Sequence, residues 1–481
     1  MKSIKLNAIC NAINSITSML FPLITFTYAS RCLGVEAIGQ YSYCSSIVDY
    51  FVLLAGLGIE TYAIREAAGL RDNSVRFNDF TTEITSINFI SMLFSYIIFL
   101  IICFIILPDK YRAISIIISL KIFFTTIGRN WICTVYEDFL YQTVRSIILQ
   151  LLAIIFLFYT VKNSSSLPYY AFYCIFGTVL GGLCNFVYNK KYCSFKINFK
   201  INLKHIKPIL YIFATSISAI IYTSSDTTIL GIFCSDYNVG LYAVSVKIYT
   251  IIRTVIAAVM IVSVPRFSYY IAKKLKENFN KLFSKTLNML LFIGIPSVIG
   301  IIMLSKEIIY IVAGIEYLKS STSLIILSFA ILINIISYVV AYGVMIPLKR
   351  EKFYMIITII SAVLNIVLNL IFVPIYMENA AAVTTLISEI AVLALCCFSV
   401  RNDIDVPRIK YNIVKSIIGG LFIIVICESI KKFIKFGFIE TILAVICSFV
   451  CYIVVEITLK NEVLFDVFNT IFSKNKNDIK L

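Results

Sequence analysis

The sequence predicts an all-α integral membrane protein of about fourteen transmembrane helices, and three observations carry that prediction. Of its 481 residues 60% are hydrophobic and only 14% are charged, and the mean hydropathy is +0.93, far from the balance of a soluble protein. Apolar runs of roughly 20 residues, the length that crosses a ~30 Å hydrocarbon layer, recur from one end of the chain to the other. Basic residues gather on alternate connectors, as orientation in a membrane requires. Little chain is left over for a soluble domain.

Lys2 and Lys5 stand ahead of the first apolar run in the manner of a signal peptide. The run to Ala29 is too long for a signal core, however. It contains Pro22, and "TYASR" offers no small-x-small cleavage site. It therefore reads as a retained first span, 8–30. The remaining spans are expected at 38–58, 84–107, 112–132, 143–161, 168–188, 208–233, 239–264, 283–304, 321–347, 354–375, 379–400, 412–430 and 437–459. Between the third and fourth, "LPDKYRA" leaves only a very short turn at Pro108. Pro22, Pro265, Pro296, Pro347 and Pro374 are expected to bend or end their helices.

With the N-terminus inside, roughly 30 basic residues fall on inner segments and about 9 on outer ones, so both termini face the cytoplasm. Lys431, Lys432 and Lys435 are the main exception. The longest basic connector, "NKKYCSFKINFKINLKHIK" at 189–207, joins two halves. The expected organisation is a six-helix lobe over 1–188, the basic cytoplasmic linker 189–207, a second six-helix lobe over 208–400, and two extra helices with a tail over 401–481. "AIGQYSYCSS" (37–46) and "NVGLYAVSVK" (238–247) follow the first span of each half and share Gly39/Gly240 and Tyr41/Tyr242 at a constant offset. "DKYRAIS" (109–115) and "IEYLKSS" (315–321) form a weaker echo. Six helices per half would make the halves parallel repeats.

The 14 cysteines lie mostly within spans at irregular spacing, as small apolar side chains do, which fits neither a disulfide framework nor a zinc site. His205 is the single histidine and sits in the lysine-rich connector with no partner that suggests catalysis. A net charge of +16 raises nucleic acid as a partner, but the basic residues do not form one patch. No cofactor or metal is called for.

Three blocks carry a resemblance. "SRCLGVEAIGQYSYCSSIVDYFVLLAGLGIETYAIREAA" (30–68), "YTSSDTTILGIFCSDYNVGLYAVSVKI" (222–248) and "LNIVLNLIFVPIYMENAAAVTTLISE" (364–389) resemble blocks of the polysaccharide-transport, O-antigen type flippases. Their superfamily also contains multidrug and toxin exporters. The third block departs from the pattern, since the family usually has glycines where this chain has Met377, Glu378, Asn379 and Ala380. The resemblance implies two six-helix lobes in a V around a central cavity, two C-terminal helices and alternating access. It also implies a substrate of oligosaccharide joined through diphosphate to a polyprenol, carried across the bacterial cytoplasmic membrane for O-antigen, capsule or exopolysaccharide synthesis. Its partners would be membrane lipids, a coupling proton or sodium ion, and polysaccharide polymerase machinery.

Charges inside spans need a partner or a wet cavity, because each costs about 2.5–3.5 kcal/mol at mid-membrane on the lenient scale. Asp226 lies roughly 12 Å along its span from the outer end, with Lys247 and Lys121 at similar depth. Arg253, Asp49 and Glu389 come near the middle, and Arg31 and Arg129 mark the two ends of the first half. That order suggests a cationic route suited to a diphosphate. Ser45, Ser46, Tyr222, Thr223, Ser224, Ser225, Thr227 and Thr228 would provide hydroxyl-rich walls for sugars. Asp226 has two readings, a structural ion pair with Lys247 or a cavity carboxylate that titrates, and Asp49 and Glu389 share the second. Lys121, Lys247 and Arg253 face substrate or pair with neighbouring helices, while Arg31 also suits snorkelling to the interface.

Glu428 and Glu456, near span ends, read as interfacial. The mixed segment 59–80 reads as an amphipathic surface helix, with Glu60–Arg65 or Arg65–Glu66 as a latch. The abundant tyrosines read first as interface residues. An integral-membrane glycosyltransferase or polymerase would need a sizeable outer loop with paired carboxylates, and none is present, so the chain does not read as an enzyme. A multidrug or small-molecule exporter, a peptidoglycan-lipid flippase and a cation-coupled amino-acid carrier are the transport alternatives. The basic cavity candidates favour an anion over the cationic drugs of many exporters.

Overall fold

A computed structural model of the chain describes residues 4–194, 202–401, 403, 409–434 and 436–464. Helices account for nearly all of it: α1 (Ile4–Leu33), α2 (Val35–Gly56), α3 (Ile59–Ala67), α4 (Ser74–Ile105), α5 (Asp109–Gly128), α6 (Asn130–Val135), α7 (Phe139–Thr160), α8 (Leu167–Tyr188), α9 (Ile206–Phe233), α10 (Asp236–Ala272), α11 (Lys276–Met303), α12 (Ser305–Val312), α13 (Ser321–Val340), α14 (Glu351–Val400), α15 (Ile409–Phe433) and α16 (Phe438–Thr458). No strand occurs among the described residues. Each of the fourteen expected spans falls on these helices, the one at 112–132 running past the end of α5 into α6, and among the described residues 11 helices are long and apolar enough to cross a membrane by length and composition.

The joins follow from local chemistry. Gly34, with φ 80° and ψ 174°, occupies a region open in practice only to glycine and turns α1 directly into α2. Asn73 caps α4 by accepting from the Arg76 N–H at 3.1 Å. The short turn at Pro108 closes because the Arg112 guanidinium donates to the carbonyls of Cys103, Leu107 and Phe104 at 3.3, 3.2 and 2.9 Å, groups that the end of α4 would otherwise orphan. Between the arms of α14, Met377 takes φ 52°, ψ −134°. The bend therefore survives in a chain that lacks the glycines, carried by a residue with a Cβ.

The chain packs as two compact units, Met1–Ala243 and Val244–Leu481. In the first, α2 packs on α4, α5 and α9, α5 on α8, and α7 on α1 and α8. Helix α4 is apolar on the face open to lipid, where Leu93, Phe94, Ile97 and Ile101 are exposed, and polar on the face turned inward. There Ser95 donates to Phe51 O, and both Ser91 and Asn88 donate to Ala55 O, at 2.6, 2.6 and 2.8 Å. Small polar residues let membrane helices approach closely, and here they also satisfy carbonyls at the end of α2. In the second unit, α13 packs on α11 and α14, and α15 on α11 and α16.

Several sequence expectations are corrected. His205, expected in the lysine-rich connector, is buried there with structural partners: its Nδ1 and Nε2 lie 2.7 Å from Tyr62 Oη and from Glu83 Oε2, fastening the start of α9 to α3 and α4. Helix α3 is amphipathic, but its buried residues Ile59, Tyr62 and Ala63 join a core with Phe77, Phe80 and Trp131 instead of lying on lipid. Within it Arg65 pairs with Glu66 at 3.1 Å, in the open. Glu456 is fully buried and accepts from Asn461 at 2.5 Å, so it is not interfacial. Lys431 pairs with the buried Glu307 at 2.9 Å and donates to Met303 O at 2.5 Å, capping the end of α11. That accounts for one basic residue of the exceptional outer trio, and Lys435 lies outside the described residues.

Candidate functional site

The first unit contains a cavity of about 480 Å³ whose walls include Glu60, Thr125, Arg129, Asn130, Arg145 and Thr178. It forms beside the crossing of α5 and α8, which glycines allow to be tight. A Cβ on Gly182 would lie 2.6 Å from Phe124 O, and one on Gly128 would lie 3.1 Å from Gly182 Cα. Just past that crossing α5 breaks. Arg129 takes φ 42°, ψ 54°, a left-handed conformation that costs roughly 1–2 kcal/mol for a residue with a Cβ. The Asn189 side chain stabilises the break by donating to Gly128 O at 3.2 Å and Arg129 O at 3.3 Å, carbonyls left over at a helix end. The Arg129 side chain is 6% exposed; its Nε donates to Ile127 O at 3.2 Å, and the guanidinium lies 5.7 Å from the Phe186 ring centre.

Arg145 reaches the same cavity from α7. Its Nη1 donates to Asn185 Oδ1, and Asn185 Nδ2 donates to Asn130 Oδ1. Its Nε is buried without an acceptor, and the group stands 5.6 Å from the Tyr141 ring. Among the described residues no carboxylate pairs with Arg145. Two guanidinium groups, the amides of Asn88 and Asn130 and threonine hydroxyls thus line one space, together with the exposed Glu60. Such a donor set suits an anion with several oxygens, which arginine can hold with two parallel bonds.

Lys121 and Thr125 share one face of α5 at helical spacing, and Arg129 follows just past its end. Lys121 donates to Asp49 Oδ1 of α2 at 2.7 Å. At the start of α2 a second crossing brings the repeat glycines together: a Cβ on Gly39 would lie 1.8 Å from Asp236 O and 2.9 Å from Gly240 N, and one on Gly240 would lie 2.1 Å from Val35 O. The buried Asp236 carboxylate accepts from Gln40 Nε2, Lys110 Nζ and Tyr111 Oη at 3.1, 2.7 and 2.5 Å.

With this geometry in place, the chain can be set beside known proteins. The profile of the family described as polysaccharide biosynthesis protein matches residues 4–271, more than half of the chain. The chain belongs to that family. A second profile, MatE, matches residues 212–371. A protein of Haloferax volcanii named as a low-salt glycan biosynthesis flippase, Agl15, is 28% identical over 178 residues. That match covers 37% of this chain and 38% of the relative, well under two thirds of its length. A protein of Escherichia coli strain K12 named as an O-antigen transporter is 23% identical over 416 residues, 83% of this chain and 97% of its own. Among solved structures, the lipid II flippase MurJ in its inward closed conformation superposes with a TM-score of 0.78 at 18% identity, covering 97% of this chain and 99% of that one. An inward-facing multidrug resistance MATE family transporter gives 0.64 at 14%, covering 84% and 98%. At these identities the structures establish the fold.

For this member of the polysaccharide biosynthesis protein family, the expected site residues distribute as follows. Lys121 and Asp49 meet each other, and Arg129 meets the cavity. Asp226 is buried on α9 and accepts from Tyr242 Oη at 2.7 Å. Ser46 is buried where α2 meets α9 and accepts from Thr228 Oγ1 at 2.9 Å. Ser225 is buried, Ser45, Tyr222 and Ser224 are half-buried and Thr223 is exposed. Arg31 lies exposed in the last turn of α1. In the second unit Lys247 and Arg253 are half-buried on α10, with Arg253 in electrostatic reach of Tyr338 and Tyr354. Glu389 is 2% exposed and accepts from Tyr249 Oη and Asn334 Nδ2. Sequence reasoning missed Arg145 and Asp236, both near span ends, where a charge usually turns to water.

Proposed function

We propose that the protein is a flippase that moves a polyprenyl-diphosphate-linked oligosaccharide from the inner to the outer leaflet of the bacterial cytoplasmic membrane by alternating access, for O-antigen, capsule or exopolysaccharide synthesis. One observation carries the reading: Arg129 and Arg145 line a single cavity inside a membrane-spanning unit. A diphosphate bears about two negative charges, and paired, partly desolvated guanidinium groups hold it more strongly there than in water. Lys121, Lys247, Arg253 and Arg31 extend the positive route, and Asp49, Asp226 and Glu389 balance it or carry a coupling proton or sodium ion. The half-buried hydroxyls of Ser45, Tyr222 and Ser224, with Thr223, meet the sugars. An apolar cavity of about 420 Å³ in the second unit, walled by Phe292, Pro296, Ile423, Phe449 and Tyr452, suits isoprenoid carbon.

In this reading the halves 1–188 and 208–400 exchange access across the linker 189–207, and both termini are cytoplasmic. Asp236 with its three donors, and the Gly39–Gly240 crossing, then seal the outer end. The chain performs no covalent chemistry and works beside the polymerase that consumes the flipped glycan. A multidrug exporter on the same fold is the competing reading, less suited to a cavity that is cationic. The test is deletion of the gene followed by localisation of the lipid-linked oligosaccharide. Accumulation on the cytoplasmic leaflet, reversed by the wild-type gene, is expected. A normal distribution across the bilayer with altered drug sensitivity would establish the exporter instead.

A further inference from the structure

Both arginines of the cavity are held by one helix. Along α8, Gly182, Asn185 and Asn189 fall on a single face at helical spacing, and that face meets α5, where a Cβ on Gly182 would lie 2.6 Å from Phe124 O. The close crossing brings two amides within reach of both guanidinium-bearing segments. Asn185, 1% exposed, uses both ends of its amide: Oδ1 accepts from Arg145 Nη1 and Nδ2 donates to Asn130 Oδ1. Asn189, fully buried, does the same: Nδ2 donates to Gly128 O and Arg129 O at 3.2 and 3.3 Å, and Oδ1 accepts from Cys133 Sγ at 3.3 Å. Between them on the same helix, the Phe186 ring stands 5.7 Å from the Arg129 guanidinium. Asn185 thus fixes the head of one arginine and Asn189 the backbone of the other, one helical turn apart, about 6 Å of rise.

We propose that Asn185 and Asn189 are positioning residues that hold Arg129 and Arg145 at one spacing, and that this spacing makes the cavity select a diphosphate over a monophosphate. A guanidinium on a free side chain loses conformational freedom when it grips an anion, whereas one held beforehand by the protein has already lost it. Two guanidiniums at a set distance can each take one phosphoryl group of a diphosphate with paired bonds. A monophosphate engages only one of them. Among the described residues Arg145 commits one N–H to Asn185, of the five that a guanidinium carries, which leaves donors for a ligand. The use of this clamp in transport rests on the flippase reading. There the discrimination has a purpose, because each phosphate in a phospholipid headgroup stands alone, and a cavity that accepted such groups would fill with bulk lipid.

The test titrates purified full-length protein calorimetrically with inorganic pyrophosphate and, separately, with inorganic phosphate, in the absence of magnesium. The wild type should bind pyrophosphate the more tightly, and Arg145→Ala should remove that preference. Asn185→Ala and Asn189→Ser leave every charge in place, so a preference that reflected net charge alone would survive them. Positioning predicts instead that each lowers the ratio of the two affinities roughly 10-fold, with phosphate binding unchanged. Asn185→Gln, which keeps the amide but displaces it by one methylene, should show the same loss and serves where Asn185→Ala does not fold. An unchanged ratio in the folded variants, or a parallel loss of both anions, overturns the positioning role. Failure of the wild type to bind pyrophosphate overturns the anion reading of the cavity together with the clamp. The predicted ratios in a protein whose vesicles flip no lipid-linked oligosaccharide would overturn the flippase reading and leave the clamp standing.

Discussion

The two units treat buried charge in opposite ways. In the first, Arg145 meets no carboxylate among the described residues and Arg129 stands on a broken helix, and both border a cavity of about 480 Å³, where water or an anionic ligand can reach them. In the second, Glu389 is 2% exposed and closed in by Tyr249 and Asn334. A charge beside a cavity is open to a large ligand; a charge in a packed interior answers to its protein partners alone.

The largest effect should come from breaking the open side of this contrast. Arg145→Ala removes a guanidinium that no carboxylate neutralises, so folding should be little affected while anion binding suffers. A charge-assisted contact of about 1.5–3 kcal/mol corresponds to a roughly 10–150-fold loss of flipping, measured in vesicles or by complementation of the deletion strain at matched protein level. Arg145→Lys should restore part of it, since lysine keeps the charge but not the bidentate geometry. Full activity in Arg145→Ala would remove the cavity from the substrate path.

Next comes a pair of matched asparagine substitutions. Asn334→Leu strips two hydrogen bonds from a sealed carboxylate and should lower stability by about 1–3 kcal/mol. Asn185→Leu strips one from Arg145, which faces the cavity, and solvent can replace it. Thermal unfolding in detergent should therefore rank Asn334→Leu as clearly more damaging. Equal losses would mean that the first unit's cavity is as dry as the second unit's interior.

How much of this was readable in advance divides along the same line. Span positions, the bend between the arms of α14 and the family followed from apolar run length, Pro374 and the three sequence blocks, because membrane burial constrains every residue of a span. The direction of a single charged side chain at a helix end is not constrained in that way. Arg145, near the start of its span, drew no reading and turns inward to Asn185; Glu456, expected at the interface, and His205, expected in the basic connector, are likewise buried. Each is decided by a partner 5 to 143 residues away, a relation no periodicity encodes. Gly39 and Gly240 are the exception: their repeat was visible as a pattern, and the structure supplies its cause in the close crossing they share.

Both units also break a helix on a residue with a Cβ. Arg129 has φ 42° and Met377 has φ 52°, but only Arg129 borders the cavity. Met377→Gly should relieve strain of about 1 kcal/mol and raise the unfolding temperature without changing transport. Arg129→Gly relieves similar strain and should abolish transport nonetheless. If Met377→Gly also impaired flipping, the bend in α14 would have to be assigned a part in the motion.

The smallest expected effect is also the most direct gauge of how wet the first unit is. Lys121 and Asp49 form a 2.7 Å ion pair with 32% of each side chain exposed. At that exposure solvent screens the attraction, and a double-mutant cycle over Lys121→Ala and Asp49→Ala should give a coupling of only about 0.2–1 kcal/mol. The coupling should also fall as salt is raised, since ions that reach the pair screen it further. A dry pair would behave otherwise: removing one partner would strand a charge and cost about 3–5 kcal/mol, insensitive to salt. The cycle therefore separates a pair at the margin of a hydrated passage from one locked in packed protein, and only the first is compatible with an anion being drawn from Lys121 on α5 to Arg129 just past its end.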